Sequence, residues 1–388
     1  MLITALRFDY GGRGRASLFP VIFALLMIGG PAAADWPVAR GNAFSSGYVD
    51  QTLPKTIDVA WQIDIGESVE TTPVIAGSRL FVTDVMGGLT AVSIDPKDAG
   101  TKLWNRSLEV GFNASPSIWT DPDPKSDKQI VIAGDVDGTV IAFDGADGRQ
   151  LWRHAAGGEI DAGPGIDGDR VLVTSQDGNL TALSVHDGGV EWTYETDDQI
   201  RCSATVAGGQ TFLGGCDAKL HRIDLATGKS AGDPIEIDGP TGSTPAVSGG
   251  TMVLPIMSGI VYGFDLSAGT TQWTYEDPKS AQEYRTDAAV DDSIAVVASA
   301  RKHIDALSIA TGQRLWRSTL RRRSDASPII AGSDVWIAAS DGRLIRLDKT
   351  DGREKWVYEI RGSFYAAPAI DDGKLYVADD KGILRCFQ

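Results

Sequence analysis

Seven tryptophans, Trp61, Trp104, Trp152, Trp192, Trp273, Trp316 and Trp356, recur along this chain at separations of 43, 48, 40, 81, 43 and 40 residues. The 81 is two periods with one tryptophan missing near Asp233, so the chain is read as eight repeats of about forty residues. A repeat of that length is one supersecondary unit that cannot bury its own apolar faces, and only stacking against its neighbours gives it a core.

Each repeat has the same internal grammar. A short strand carrying Pro or Ala comes first, as in Thr72-Pro73-Val74-Ile75, Ser115-Pro116-Ser117-Ile118 and Ser327-Pro328-Ile329-Ile330. A Gly or Asp turn leads to a β-rich strand such as Arg170-Val171-Leu172-Val173. An Asp-Gly hairpin (Asp137-Gly138, Asp177-Gly178, Asp341-Gly342) then leads to a third strand such as Thr139-Val140-Ile141-Ala142-Phe143. A turn of the type Thr227-Gly228, Thr311-Gly312 or Asp351-Gly352 enters an outer strand that ends in Trp. Four antiparallel strands per repeat make a propeller blade, and closing the ring covers both faces of every sheet. The expected fold is therefore all-β, an eight-bladed β-propeller over residues 57–388. The last repeat stops at Gln388 without its tryptophan-bearing strand, while the strand Ile57 to Trp61 precedes the first complete repeat. The two ends are expected to share one blade, with the N-terminal strand closing the ring.

The first 34 residues read as a cleavable export signal, followed by an N-terminal extension over residues 35–56. Arg7, Arg13 and Arg15 give the basic start, Leu18 to Ile28 the apolar stretch, and Ala32-Ala33-Ala34 the small-residue cleavage site. The apolar stretch is too short to span a bilayer and none later reaches its length, so no membrane span is expected. The first cysteine is Cys202, so the reading is an unanchored, soluble periplasmic or extracellular protein, expected to be a monomer. Cleavage takes the formal charge from −16 to −18, which disfavours nucleic acid and anionic lipid as partners.

The Ser-Pro strand, Asp-Gly hairpin, Thr-Gly turn and Leu-Trp together resemble the pyrroloquinoline-quinone (PQQ) repeat of the PQQ-binding-like β-propeller family, over residues 57 to 388. The start Trp36-Pro37-Val38-Ala39-Arg40-Gly41-Asn42, with Ser46-Gly47, also looks like the N-terminal segment of secreted members. The resemblance implies one of two things. Quinoprotein dehydrogenases hold PQQ and calcium in the central funnel, whereas the BamB branch is a non-enzymatic scaffold of outer-membrane β-barrel assembly. This chain departs from the dehydrogenases in having no adjacent cysteine pair, no C-x-x-C-H haem site and a shorter length, and from BamB in lacking the lipid-anchor cysteine. The expectation is a non-catalytic envelope scaffold that binds another envelope protein, a small ligand or a glycan. No cofactor is predicted, and a small PQQ- and calcium-dependent oxidoreductase is the alternative.

Candidate sites follow from the propeller geometry. Three residues before the Pro or Ala of each first strand, the chain reads Glu70, Asn113, Asp161, Arg201, Gly242, Arg285, Asp325 and Tyr365, and these positions face one another across the funnel. Two readings of the ring stand. One is a wet funnel mouth whose acids and arginines neutralise one another. The other is a ligand site, with Glu70, Asn113 and Asp161 taking a hard cation such as calcium and Arg201 and Arg285 an anion. Cys202 and Cys216 lie at the two ends of one hairpin, where a register-dependent disulfide is open. Cys386 takes a small buried position in a third strand. Arg314, Arg317, Arg321, Arg322 and Arg323 form the one dense basic run, either a solvated rim or a dock for an acidic partner or an anionic glycan.

Overall fold

The computed structural model describes residues 35–388, so the export signal expected over residues 1–34 lies outside the described residues. The described residues form eight sheets, each an antiparallel blade of four strands, with consecutive strands running outward from the axis. Blade 1, for example, runs through Val74–Ala76, Arg79–Thr83, Gly88–Ser93 and Lys102–Ser107. Blades 2 to 7 follow in chain order. Blade 8 takes three strands from the C-terminus, Ala369–Asp371, Lys374–Ala378 and Ile383–Phe387, and its outermost strand, Val59–Asp64, from the N-terminus. The closure expected from the sequence is therefore the one that forms. Among the described residues no helix is long and apolar enough to cross a membrane.

The tryptophan period has a direct structural cause. Five of the seven outer-strand tryptophans lean across to the next blade, where the indole N–H donates to a backbone carbonyl: Trp104 to Gly145, Trp152 to Val185, Trp192 to Leu225, Trp273 to Ile309 and Trp316 to Lys349, all at 2.8–3.1 Å. The ring lies flat on a glycine of that blade's last turn. At Gly352, where φ is +73°, an added Cβ would sit 2.4 Å from the Trp316 ring. Gly352→Ala is expected to cost about 1–3 kcal/mol, since both the left-handed backbone and the indole oppose the methyl group. Chemical denaturation would show it as a lowered midpoint. Opposite six of the seven tryptophans in the third strand stands a small residue, Ala91, Ala142, Ala182, Gly263, Ala306 or Cys386, the last facing Trp61 and fully buried as its sequence position implied, whereas Trp356 faces Arg346.

The missing tryptophan is also explained. Blade 4 ends in a strand of only two residues, Ile235–Glu236, and no indole reaches blade 5. The guanidinium of Arg222, from the third strand of blade 4, takes that place against Gly269. One cation-bearing stem thus covers the glycine that an indole covers elsewhere.

Residues 36–49 were expected only as an extension, but they follow a defined path around the axis. The innermost strand of each blade is a sheet edge with unpaired N–H groups. Backbone carbonyls of Trp36, Pro37, Ala43, Phe44, Ser46 and Gly47 accept from Ile75, Ile118, Val206, Val247, Val290 and Ile330, on blades 1, 2, 4, 5, 6 and 7, at 2.8–2.9 Å. Tyr48–Val49 then joins blade 7 as a fifth, parallel strand, and the Gln51 side chain reaches Gly373 of blade 8. Trp36, Leu53 and Ile57 are all buried. The segment crosses one end of the central channel and makes it a closed cup.

At that end Asp371 carries a buried cost. Burial, with Asp35 and Asp372 nearby, pushes its carboxyl up to about 6, and its Oδ1 has no hydrogen-bond partner among the described residues. A carboxyl whose folded pKa exceeds its unfolded value binds more protons when folded. Its penalty therefore grows as pH rises from about 4 to about 6 and is constant above that. Asp371→Asn is expected to raise the melting temperature at pH 7 by about 1–2 °C, and to be neutral near pH 4.

Candidate functional site

The cup is a cavity of about 170 Å³ at the mouth of the channel. Of the eight ring residues expected from the sequence, Glu70, Asn113, Asp161, Arg201, Gly242, Asp325 and Tyr365 line it. They converge because each sits where the chain turns from an outer strand back to the innermost strand of the next blade. Arg285 does not line the cup. It stands beside it in a small recess shared with Arg323, its Nε donating to Glu283 at 2.5 Å, because the local acid captures the guanidinium.

Three members of the ring are held by flanking polar residues. Gln176 donates to both Glu159 (3.0 Å) and Asp161 (2.7 Å), Asn113 donates to Glu159 (3.2 Å), and Arg201 donates to Gln199 (3.0 Å) with Asp161 at 3.9 Å. Among the described residues no cluster of three or more His, Cys, Asp or Glu side chains is placed to hold a metal ion.

A second, deeper ring was not anticipated. The residue just before the Pro or Ala column reads Thr72, Ser115, Gly163, Ser203, Thr244, Asp287, Ser327 and Ala367. Its side-chain oxygens accept from the backbone of the preceding blade: Thr72 N–H donates to Ser115, Ser203 N–H to Thr244, Thr244 N–H to Asp287 and Asp287 N–H to Ser327 (2.7–3.2 Å). The run of short polar residues before Pro was visible in the sequence, but its use as an inter-blade stitch depends on which blade faces which.

The floor is Ala39 and Arg40 of the N-terminal segment. Arg40 is buried, with one nitrogen, Nη2, donating to the carbonyls of Ala288 and Pro328 at 2.9 Å each. Asp287 lies 3.6 Å from its Nε. Burial pulls the guanidinium below its ordinary pKa, and Asp287 only partly offsets this. Gly47 is required here, because a Cβ would sit 2.1 Å from Arg40 Nη2 and its φ is +58°. Arg40 was absent from the sequence-derived candidates because it lies outside the repeat.

Two readings left open by the sequence can be set against the geometry. Cys202 and Cys216 are free, not a disulfide. The Cys202 side chain turns into the core and its thiol donates to the Gly214 carbonyl at 3.2 Å, as Thr71 and Thr286 donate to Thr83 and Ala298 in their blades. Burial pushes its pKa up to about 12, so it is not a nucleophile near neutral pH. The basic run does not form one docking patch either. Arg317 turns inward to Asp305 (2.6 Å) and Asp277 (2.5 Å), and Arg314 to the Tyr275 hydroxyl (3.0 Å). Arg321, Arg322 and Arg323 lie beyond the end of that strand, Arg314–Thr319, and are exposed on the turn into blade 7, with Arg321 near Glu359 (3.4 Å) and Arg323 near Asp325 (2.8 Å).

A family model described as outer membrane protein assembly factor BamB matches residues 136–231 and 234–388. The chain belongs to that family. Among its relatives, the outer membrane protein assembly factor BamB of Burkholderia pseudomallei is 26% identical over 348 residues, 84% of this chain and 86% of that protein. The Escherichia coli BamB is 25% identical over 362 residues, 86% and 88% of the two chains. In three dimensions BamB from Moraxella catarrhalis matches at TM-score 0.72 and 17% identity, covering 86% of this chain and 98% of that one. The quinohemoprotein alcohol dehydrogenase of Comamonas testosteroni matches at TM-score 0.73 and 14% identity, covering 91% and 80%. Two proteins of such different names fit the propeller equally well, so the fold does not discriminate between them.

Proposed function

We propose that this protein is a non-catalytic scaffold of the cell envelope that docks another protein engaged in outer-membrane protein assembly. The observation that carries this reading is the similarity to BamB proteins over most of both chains, at 84% and 86% coverage for the Burkholderia pseudomallei relative. The cup geometry supports it. A tricyclic quinone needs a flat apolar platform, and the lining offers Tyr365 at the rim as its one aromatic side chain; the rest is small, polar or charged. The cavity also lies below the roughly 300–1,000 Å³ usual for drug-sized ligands. The three cysteines, Cys202, Cys216 and Cys386, are not adjacent and cannot supply the sulfur pair that lies over the quinone in the dehydrogenases. The residues present do not fit PQQ.

The test is affinity purification of the tagged protein from detergent-solubilised envelopes of its host, combined with a deletion strain. Recovery of a component of outer-membrane β-barrel assembly, together with reduced β-barrel protein in the deletion strain, is the expected result. Purified protein that takes up PQQ with calcium and oxidises an alcohol or sugar with a dye acceptor would overturn it.

A further inference from the structure

Within the cup one cation is left incompletely bonded. Arg40 Nε and Nη1 are buried and have no hydrogen-bond partner among the described residues. The nearest acid does not complete them. Asp287 Oδ1 accepts from Thr244 N–H at 2.7 Å and Oδ2 from Ser327 Oγ at 3.3 Å, leaving Oδ2 3.6 Å from Nε, beyond good hydrogen-bond geometry. A buried charge with unmade hydrogen bonds is costly, and such groups in native structures mark a missing partner.

The cavity above Arg40 limits what that partner is. Its walls carry four carboxylates, Glu70, Asp161, Asp287 and Asp325, against two guanidiniums, Arg40 and Arg201, in a chain of net charge −16. A simple anion would meet net repulsion on entry. A molecule with a carboxylate at one end and an ammonium at the other meets complementary charge at both: Arg40 on the floor and the exposed Glu70 at the rim. Between them the hydroxyls of Thr72, Ser115 and Ser203 line the wall and suit polar side chains. At about 170 Å³ the space exceeds that of a single ordered water and suits an amino acid.

We infer that the cup binds a small zwitterion of amino-acid size, with its carboxylate directed to Arg40 and its ammonium to Glu70. This site is independent of the scaffold reading and stands or falls without it.

The test uses L-serine as the probe, with acetate and ethanolamine as its two halves, in calorimetry and thermal denaturation of the purified protein. Serine at about 10 mM should bind and raise the melting temperature, while each half alone should bind at least about tenfold more weakly. Glu70→Gln should weaken serine about tenfold and leave acetate unchanged, because it removes one charge-assisted contact at an exposed position. Arg40→Lys should abolish serine binding. If that variant fails to fold, the Glu70→Gln comparison decides alone. The proposal is overturned if serine, glycine and aspartate all leave the melting temperature unmoved, which would assign water to Arg40. It is equally overturned if acetate matches serine, or if Glu70→Gln binds serine as the parent does.

Discussion

Deleting residues 35–64 should leave a chain that no longer unfolds cooperatively. The deletion removes the outer strand of blade 8, Val59–Asp64, which pairs with Ile383–Phe387 in register from Val59 opposite Phe387 to Asp64 opposite Ile383. It also removes Trp61 from its packing over Gly100 and against Tyr376, together with the carbonyls of residues 36–47 that satisfy the innermost strands. Trp36, Leu53 and Ile57, each worth about 1.5–3 kcal/mol of apolar burial, go with it. The sum exceeds much of the ~5–15 kcal/mol by which a domain is stable, and the ring is left open at an unpaired edge that invites aggregation. Size-exclusion chromatography and near-ultraviolet circular dichroism would show aggregated or loosely packed material. A synthetic peptide of residues 35–64 should restore part of the native signal. A monodisperse truncated chain with one sharp transition would show that the ring does not depend on this closure.

The second large effect is expected at Asp334. It is fully buried, receiving Arg346 Nη2 at 2.5 Å and Lys355 Nζ at 2.6 Å. Arg346 also donates to the carbonyls of Pro54 (2.6 Å), Lys55 (3.2 Å) and Leu53 (3.3 Å), and its guanidinium lies 5.4 Å from the centre of the Trp336 ring. One arginine thus ties the N-terminal segment to blade 7. Asp334→Ala should cost about 3–5 kcal/mol, because Arg346 is left buried without its counter-charge. The double substitution with Arg346→Met should cost about 1–3 kcal/mol less than the sum of the two single losses, since the stranded charge is gone. Urea unfolding of the four proteins measures both quantities. Simple additivity would mean that the pair contributes little beyond its separate contacts.

These two effects fall in different parts of what the sequence revealed. The closing strand was legible, because a repeat lacking its outer strand at one end and an unmatched strand at the other define the same blade. The Arg346 tie was not, since it joins positions nearly three hundred residues apart, and neither partner belongs to a motif. The candidate site divides in the same way. Glu70, Asn113, Asp161, Arg201, Asp325 and Tyr365 could be placed around one funnel from their shared column. Arg285 shared the column but was captured by Glu283, a contact that depends on side-chain reach.

By itself the sequence determined the eightfold repeat, its four-stranded unit, the closure and the small buried position of Cys386, because all of these are local and recur. Tertiary structure alone decided that residues 36–49 floor the channel, that Arg40 lies beneath the ring with two nitrogens unsatisfied, that Cys202 faces the core and that Arg317 turns inward. The physical reason is common to all four. Periodicity encodes what neighbouring blades must share, whereas a segment outside the repeat, or a side chain choosing between core and rim, answers to contacts that exist only once the ring has closed.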